Sequence, residues 1–164
     1  MSDNQPFELS YVPVDKNNVG LLRRIHRETL PVHYGRRIYK MFEEGKIAHG
    51  LLVYLNNDLP IGEICWRIEE DEKDPKIHKL YLMTIGVLHT YQRRGIARKL
   101  LQHIIDENKD VDEIYLHVLY SNEVAMKFYE NFGFTKKEFL PGYYKALEIG
   151  DAYIYSMPGS KTTQ

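Results

Sequence analysis

Gln92-Arg93-Arg94-Gly95-Ile96-Ala97 carries the densest chemistry in this chain of 164 residues. It follows an apolar stretch, Leu80 to Leu88, that reads as a buried strand. It opens a run with helical apolar spacing through Ile96, Leu100, Ile104 and Ile105. A strand that breaks into a glycine turn and then a helix leaves backbone N–H groups at the helix start without helical partners, all pointing one way. The positive end of the helix dipole adds to them, so the turn suits a phosphate or pyrophosphate held largely by main chain. A side chain at Gly95 would keep the ligand's oxygens away from those amides. Arg93, Arg94, Arg98 and Lys99 raise the local positive potential. Taken alone, the segment also reads as a solvated basic turn, since short glycine motifs match by accident.

Two side chains on the strands flanking that helix could move a proton: Tyr81, and His117 within the β-branched and aromatic stretch Glu113–Tyr120. Histidine, with an ordinary pKa of about 6.5, suits a general base near neutrality. Tyrosine, at about 10, is a poor base alone but can orient a water that passes a proton to the histidine. The blander readings are a core histidine bonded to a carbonyl and a tyrosine that only packs. The seven histidines (26, 33, 49, 78, 89, 103 and 117) show no paired spacing with cysteines or carboxylates, so no metal site is expected. The six other than His117 read as surface or packing residues.

The elements around these groups follow from periodicity and punctuation. Phe7–Val12 alternates as a first strand. Asp15 and Asn17 can cap a helix with Leu21, Leu22, Ile25 and Thr29 on one face, ended by Pro31. A short helix over Tyr34–Glu43 closes at Gly45. Ile47–Leu55 and Leu59–Ile68 are strands joined at Asn56-Asn57-Asp58, Glu69–Lys76 is a charged loop, and Ile77–Leu88 is a long strand. Asn122–Phe132 fits a helix with Val124, Ala125, Phe128 and Tyr129 on one stripe, stopped by Gly133. Phe134–Phe139 and Ala152–Met157 complete the strands. The order implies an α/β fold in which the helix from Gly95 crosses between two parallel strands. No internal repeat or composition shift divides the chain, so residues 1–157 read as one domain and 158–164 as a disordered tail.

Composition is that of an ordinary globular chain, and a net charge of −1 argues against direct nucleic-acid binding. Cys65 is the single cysteine; it lies in an apolar stretch and reads as core in a reducing compartment. No stretch approaches the length of a membrane span and residues 1–6 are polar without a signal-peptide shape, so the expectation is a cytoplasmic protein, also nuclear, without membrane contact. Tyrosine is abundant, 13 residues, some in near-pairs such as Tyr143-Tyr144.

The loop resembles the acyl-coenzyme A loop of the GCN5-related N-acetyltransferase (GNAT) family: Gln92, Gly95 and Ala97 occupy its three defined positions. Further segments resemble its NatE-type (Naa50- or San-like) N-terminal acetyltransferases: Leu30-Pro31-Val32-His33-Tyr34, Leu80-Tyr81-Leu82-Met83-Thr84, Ile114-Tyr115-Leu116-His117-Val118, Ser121-Asn122-Glu123, Phe128-Tyr129, Phe132-Gly133-Phe134 and Tyr143-Tyr144-Lys145. The resemblance implies a GNAT fold, a single mixed seven-stranded sheet flanked by about four helices, with the acetyl-CoA loop between the fourth strand and third helix. It implies transfer of acetyl from acetyl-CoA to the α-amine of a protein N-terminus, with initiator Met followed by an apolar residue preferred. Tyr81 and His117 would act together through an ordered water. Met83, Ile85, Val87, Gln92, Arg93, Arg94, Gly95, Ile96, Ala97, Asn122 and Tyr129 would hold the acetyl-CoA. The N–H of Ile85 or of Val87 would face the thioester oxygen. Tyr129 would position the sulfur first and act as an acid second, and Asn122 would also cap its own helix. Leu30, Pro31, Val32, Tyr34, Met83, Tyr143 and Tyr144 would line the peptide site. Relatives commonly carry Phe where this chain has Leu30, which keeps an apolar pocket but loses a flat ring. The resemblance also implies a NatA-type complex, with a helical-repeat auxiliary subunit and a second acetyltransferase, on the ribosome. The alternatives are a lysine or small-molecule acetyltransferase of the same fold, or a weakly active scaffold subunit of such a complex.

Overall fold

Strict alternation of buried and half-exposed residues fixes the strands that carry the candidate site. The computed structural model describes residues 8–161. β1 (Leu9–Pro13) pairs antiparallel with β2 (His49–Leu55), Leu9 opposite Leu55 and Pro13 opposite Leu51. Phe7, the expected strand start, lies outside the described residues. Between these strands run α1 (Val19–Thr29) and α2 (Arg36–Glu44). In α1, Leu22, Ile25 and His26 are the buried stripe. Asn18, rather than Asn17, stands at its N-cap; the Asp15 carboxylate accepts from the Asn17 and Asn18 amides while the Asn18 side chain accepts from the Asp15 amide. Leu30 is extended, as a residue before proline prefers, and α1 ends there. α2 starts two residues later than its apolar spacing suggests.

β3 (Leu59–Glu70) follows a turn in which Asn56 and Asn57 adopt φ of 51° and 62°, a left-handed region that asparagine tolerates. Then come β4 (His78–Val87), a single 3-10 turn at His89–Tyr91, α3 (Ile96–Glu107), β5 (Glu113–Leu119), α4 (Glu123–Phe132), β6 (Thr135–Leu140) and β7 (Ala152–Pro158). The strands form one seven-stranded mixed sheet in the order β1-β2-β3-β4-β5-β7-β6. β4 and β5 are parallel, with Tyr81 opposite Tyr115, as the α3 crossover requires. β7 lies antiparallel to both β5 and β6, and a bulge interrupts β6 between Lys136 and Glu138.

Two compact units partition the chain: residues up to Cys65 with Thr84–Leu101, and Trp66–Met83 with residues from Gln102 onward. Leu22, Phe42, Leu52, Ile61, Ile64 and Leu100 are fully buried in the first; Leu80, Ile104, Ile114, Leu116 and Tyr155 in the second. Two expectations change. Val124 does not share the buried stripe of α4 but is 79% exposed, because the helix turns only Tyr129 fully inward. The segment from Pro158 begins as ordered structure: Pro158 belongs to β7, and the amides of Gly159 and Lys161 donate to the carbonyls of Asp112 and Val111. Residues 162–164 lie outside the description. Among the described residues no helix is long and apolar enough to cross a membrane.

Candidate active site

Register puts the candidate proton-handling groups side by side in the second unit. Tyr81 faces Tyr115 across β4 and β5, and His117, two residues further along, emerges on the same half-exposed face. Tyr81 Oη and His117 Nδ1 are 2.8 Å apart. The His117 ring stacks on Tyr143 at 4.1 Å between centroids and 7° between planes, and Tyr143 Oη lies 3.4 Å from Tyr81 Oη. Tyr144 donates to the His117 carbonyl at 3.4 Å. Burial under these rings holds the His117 imidazole below the ordinary 6.5, opposed by Glu69 and aided by Arg67. A neutral imidazole at pH 7 is therefore the resting state, ready to accept a proton.

Tyr143 and Tyr144 belong to no strand, and a set of local constraints fixes them. The Tyr144 amide donates to the Gly150 carbonyl at 2.8 Å, and the Gly142 amide donates to the Asp151 carboxylate at 2.8 Å. A Cβ on Gly150 would collide with the Tyr144 carbonyl, so only glycine lets the loop close on itself there.

Sequence reasoning missed the groups behind Tyr81. Arg67 and Glu69 alternate on β3. The Arg67 guanidinium lies 4.9 Å above the Tyr81 ring, and its Nε donates to Glu69 at 3.0 Å. Burial, together with the single O–H that Tyr115 shares between the two Glu69 oxygens at 2.6 and 2.9 Å, pushes its phenol far above the usual 10. The available signal was two charged residues in an otherwise strand-like period-two pattern.

In the first unit the Gln92–Ala97 loop enters the left-handed region at two residues. Arg93 and Gly95 have φ of 63° and 77°. A Cβ on Gly95 would meet nothing within 4 Å, so it is the left-handed backbone there that favours glycine. Ile96, 3% exposed, anchors the start of α3, and the Ile96 and Ala97 amides open the helix. Gln92 turns inward, its Nε2 donating to the Val87 carbonyl at 2.9 Å and tying the loop to β4. Arg94 lies against the Tyr91 ring. These features fit a diphosphate. Met83 and Ile85 are half-exposed and Val87 is buried along β4.

Elsewhere the expected residues take the following places. Asn122 caps α4, its Oδ1 accepting from the Ala125 amide at 3.2 Å. Tyr129 is 7% exposed and packs edge-on against Phe128 and Phe134. In the first unit, the Leu30–Tyr34 turn leaves α1 with Pro31 exposed and Leu30, Val32 and Tyr34 half-buried. Tyr34, with Arg23, Arg27, His33 and Tyr39, lines a cleft of about 330 Å³.

A family model described as the acetyltransferase (GNAT) family matches residues 20–134, and the chain belongs to that family. It is an acetyl-CoA-dependent acetyltransferase. The chain is 37% identical to zebrafish (Danio rerio) N-alpha-acetyltransferase 50 over 145 residues, covering 86% of this chain and 83% of that protein. It is 34% identical to the Drosophila melanogaster protein named probable N-acetyltransferase san, covering 86% and 76%. Its fold superposes on Arabidopsis thaliana Naa50 in complex with the bisubstrate analogue CoA-Ac-MVNAL, with a TM-score of 0.79 at 33% identity, covering 91% and 97% of the two chains.

Proposed function

We propose that this protein acetylates the α-amine of protein N-termini, preferring initiator Met followed by an apolar residue. The observation that carries the mechanism is the 2.8 Å contact between Tyr81 Oη and a half-buried His117 whose proton affinity burial has lowered. The attacking amine must be neutral. An α-amine with a pKa of about 7.7–8.0 is roughly one-tenth neutral at pH 7, a lysine with a pKa of about 10.4 roughly one part in 2,500. A modest base therefore suffices for an N-terminus.

In this reading the amine nitrogen bonds to the acetyl carbon and the carbon–sulfur bond breaks. The proton shed by the nitrogen passes to His117. Tyr81 and His117 meet directly, so the relay water stands between the amine and this pair. The N–H of Ile85 or Val87 faces the charge that develops on the acetyl oxygen. The coenzyme thiol leaves with a pKa near 8.5 and needs little protonation, which makes Tyr129 a positioning group beside the sulfur. The Gln92–Ala97 amides, with Arg93 and Arg94, hold the diphosphate. Tyr143, Tyr144 and Met83 are read as peptide-contacting residues in the second unit, and the Leu30–Tyr34 turn as peptide-contacting in the first.

The zebrafish name and the Met-Val start of the analogue bound by Arabidopsis Naa50 support the acceptor class. Retention of both Tyr81 and His117 favours an active enzyme over a scaffold. The same reading carries an association with a NatA-type complex in the cytoplasm, checked by co-purification of a helical-repeat subunit. The deciding measurement is acetyl transfer to peptides beginning Met-Leu, Ser-Glu and Ala-Glu and to an internal lysine in a blocked peptide. Met-Leu is expected to react fastest. Faster turnover of the blocked lysine peptide would overturn the N-terminal assignment.

A further inference from the structure

A second histidine lies far deeper than His117, and its surroundings are over-supplied with donor atoms. His26 on α1, Glu63 and Cys65 on β3, and Thr84 on β4 are 2%, 0%, 0% and 6% exposed. His26 Nε2 has Glu63 Oε2 at 3.1 Å, Thr84 Oγ1 at 3.1 Å and Cys65 Sγ at 4.0 Å. One ring nitrogen offers one proton or one lone pair, so it can satisfy only one of the three. Cys65 Sγ is also 3.4 Å from Glu63 Oε2, and Thr84 Oγ1 is 2.7 Å from the same oxygen. The other carboxylate oxygen, Glu63 Oε1, is buried with no hydrogen-bond partner among the described residues. A Cβ on Gly86 would collide with Thr29 Oγ1 and approach that oxygen at 3.0 Å, so bare backbone at Gly86 leaves both the Thr29 hydroxyl and the carboxylate their place.

We propose that His26, Glu63 and Cys65 bind a structural zinc ion, with the Thr84 hydroxyl at the fourth corner. The three ligand atoms form a triangle with edges of 3.1, 3.4 and 4.0 Å. The point equidistant from them lies about 2.1 Å from each, against about 2.0–2.1 Å for Zn–N, 2.0–2.2 Å for Zn–O and 2.3 Å for Zn–S. Carboxylate and thiolate together carry the two negative charges that a divalent ion cancels, so the sealed site is neutral; the Cys65 proton leaves to solvent on binding. A thiolate in the set selects zinc over magnesium or calcium. The opposite ring nitrogen of His26 is 3.0 Å from Tyr39 Oη, the outer partner that a ligating imidazole requires to fix its tautomer. The spacing of these residues conceals the site, because its ligands come from one helix and two strands. The ion would lock α1, four residues before the Leu30–Tyr34 turn, onto β3 and β4.

The test uses untagged full-length protein folded with zinc and dialysed, read by elemental analysis, and a cobalt(II)-substituted sample read by absorption. About one zinc per chain is expected, with a thiolate-to-cobalt charge-transfer band that Cys65→Ser abolishes. Zinc far below one per chain, or a cobalt-loaded wild type without that band, would overturn the site. Both wild-type readings hold even if Cys65→Ser does not fold. Neither needs acetyl-CoA or peptide, so failure here leaves the acetyl-transfer reading standing.

Discussion

His26 and His117 each meet a hydroxyl group, yet their surroundings assign them opposite tasks. His26 is sealed at 2% exposure with the Glu63 carboxylate 3.1 Å away, so any change in its charge must be answered inside the protein. His117 sits on the half-exposed face of β5, between a phenol and a stacked ring, with Glu69 and Arg67 at the level of long-range influence. A proton can reach it and leave again. The comparison teaches that the type of residue does not decide between scaffold and chemistry. Access and the nature of the partner do.

Substitutions at the two sites should therefore fail in different ways. His117→Ala is expected to lower kcat by about 10²–10⁴, the usual contribution of a positioned base. Acetyl-CoA binding and melting temperature should stay near wild type. A variant that keeps full turnover would remove His117 from the mechanism. His26→Ala should instead take one of three neighbours from the buried Glu63 carboxylate and strand Tyr39 Oη, costing about 1–3 kcal/mol of stability, seen as a drop in the denaturant midpoint. An unchanged midpoint would show that the two histidines are not so different.

A finer test is pH. The base must be unprotonated, and burial has lowered the His117 pKa, so kcat should begin to fall only as pH drops through a value below 6.5. The kcat/KM profile should carry a further limb near the α-amine pKa of about 7.7–8.0. A kcat limb at or above 6.5 in the saturated enzyme would contradict the environment drawn for His117.

The two sites were unequally legible in the amino-acid order. Tyr81 and His117 could be found because strand alternation and a crossover helix dictate that their strands run parallel, and the loop because glycine and basic residues punctuate a strand–helix junction. The stacking of Tyr143 on His117 could not be found, since it depends on Gly150 and Asp151 closing an irregular loop. Nor could the Arg67–Glu69–Tyr115 bonds behind Tyr81, which arise from register between strands. His26 reads in sequence like five other histidines, as a surface or packing residue, and it is buried, but against a carboxylate. Glu63, lying between Ile61 and Ile64, was the visible sign: a carboxylate inside an apolar strand has to find a partner somewhere.

The borders of the sheet have a consequence of their own. β6, one of its two outer strands, carries Lys136 and Lys137 and is broken by the bulge before Glu138. On the other margin β1 ends in Pro13, which has no amide hydrogen to offer. Unpaired strand margins recruit other chains and seed fibrils, and charge, irregular register and proline are the devices that discourage it. The long mixed sheet is thereby kept from polymerising along its flanks.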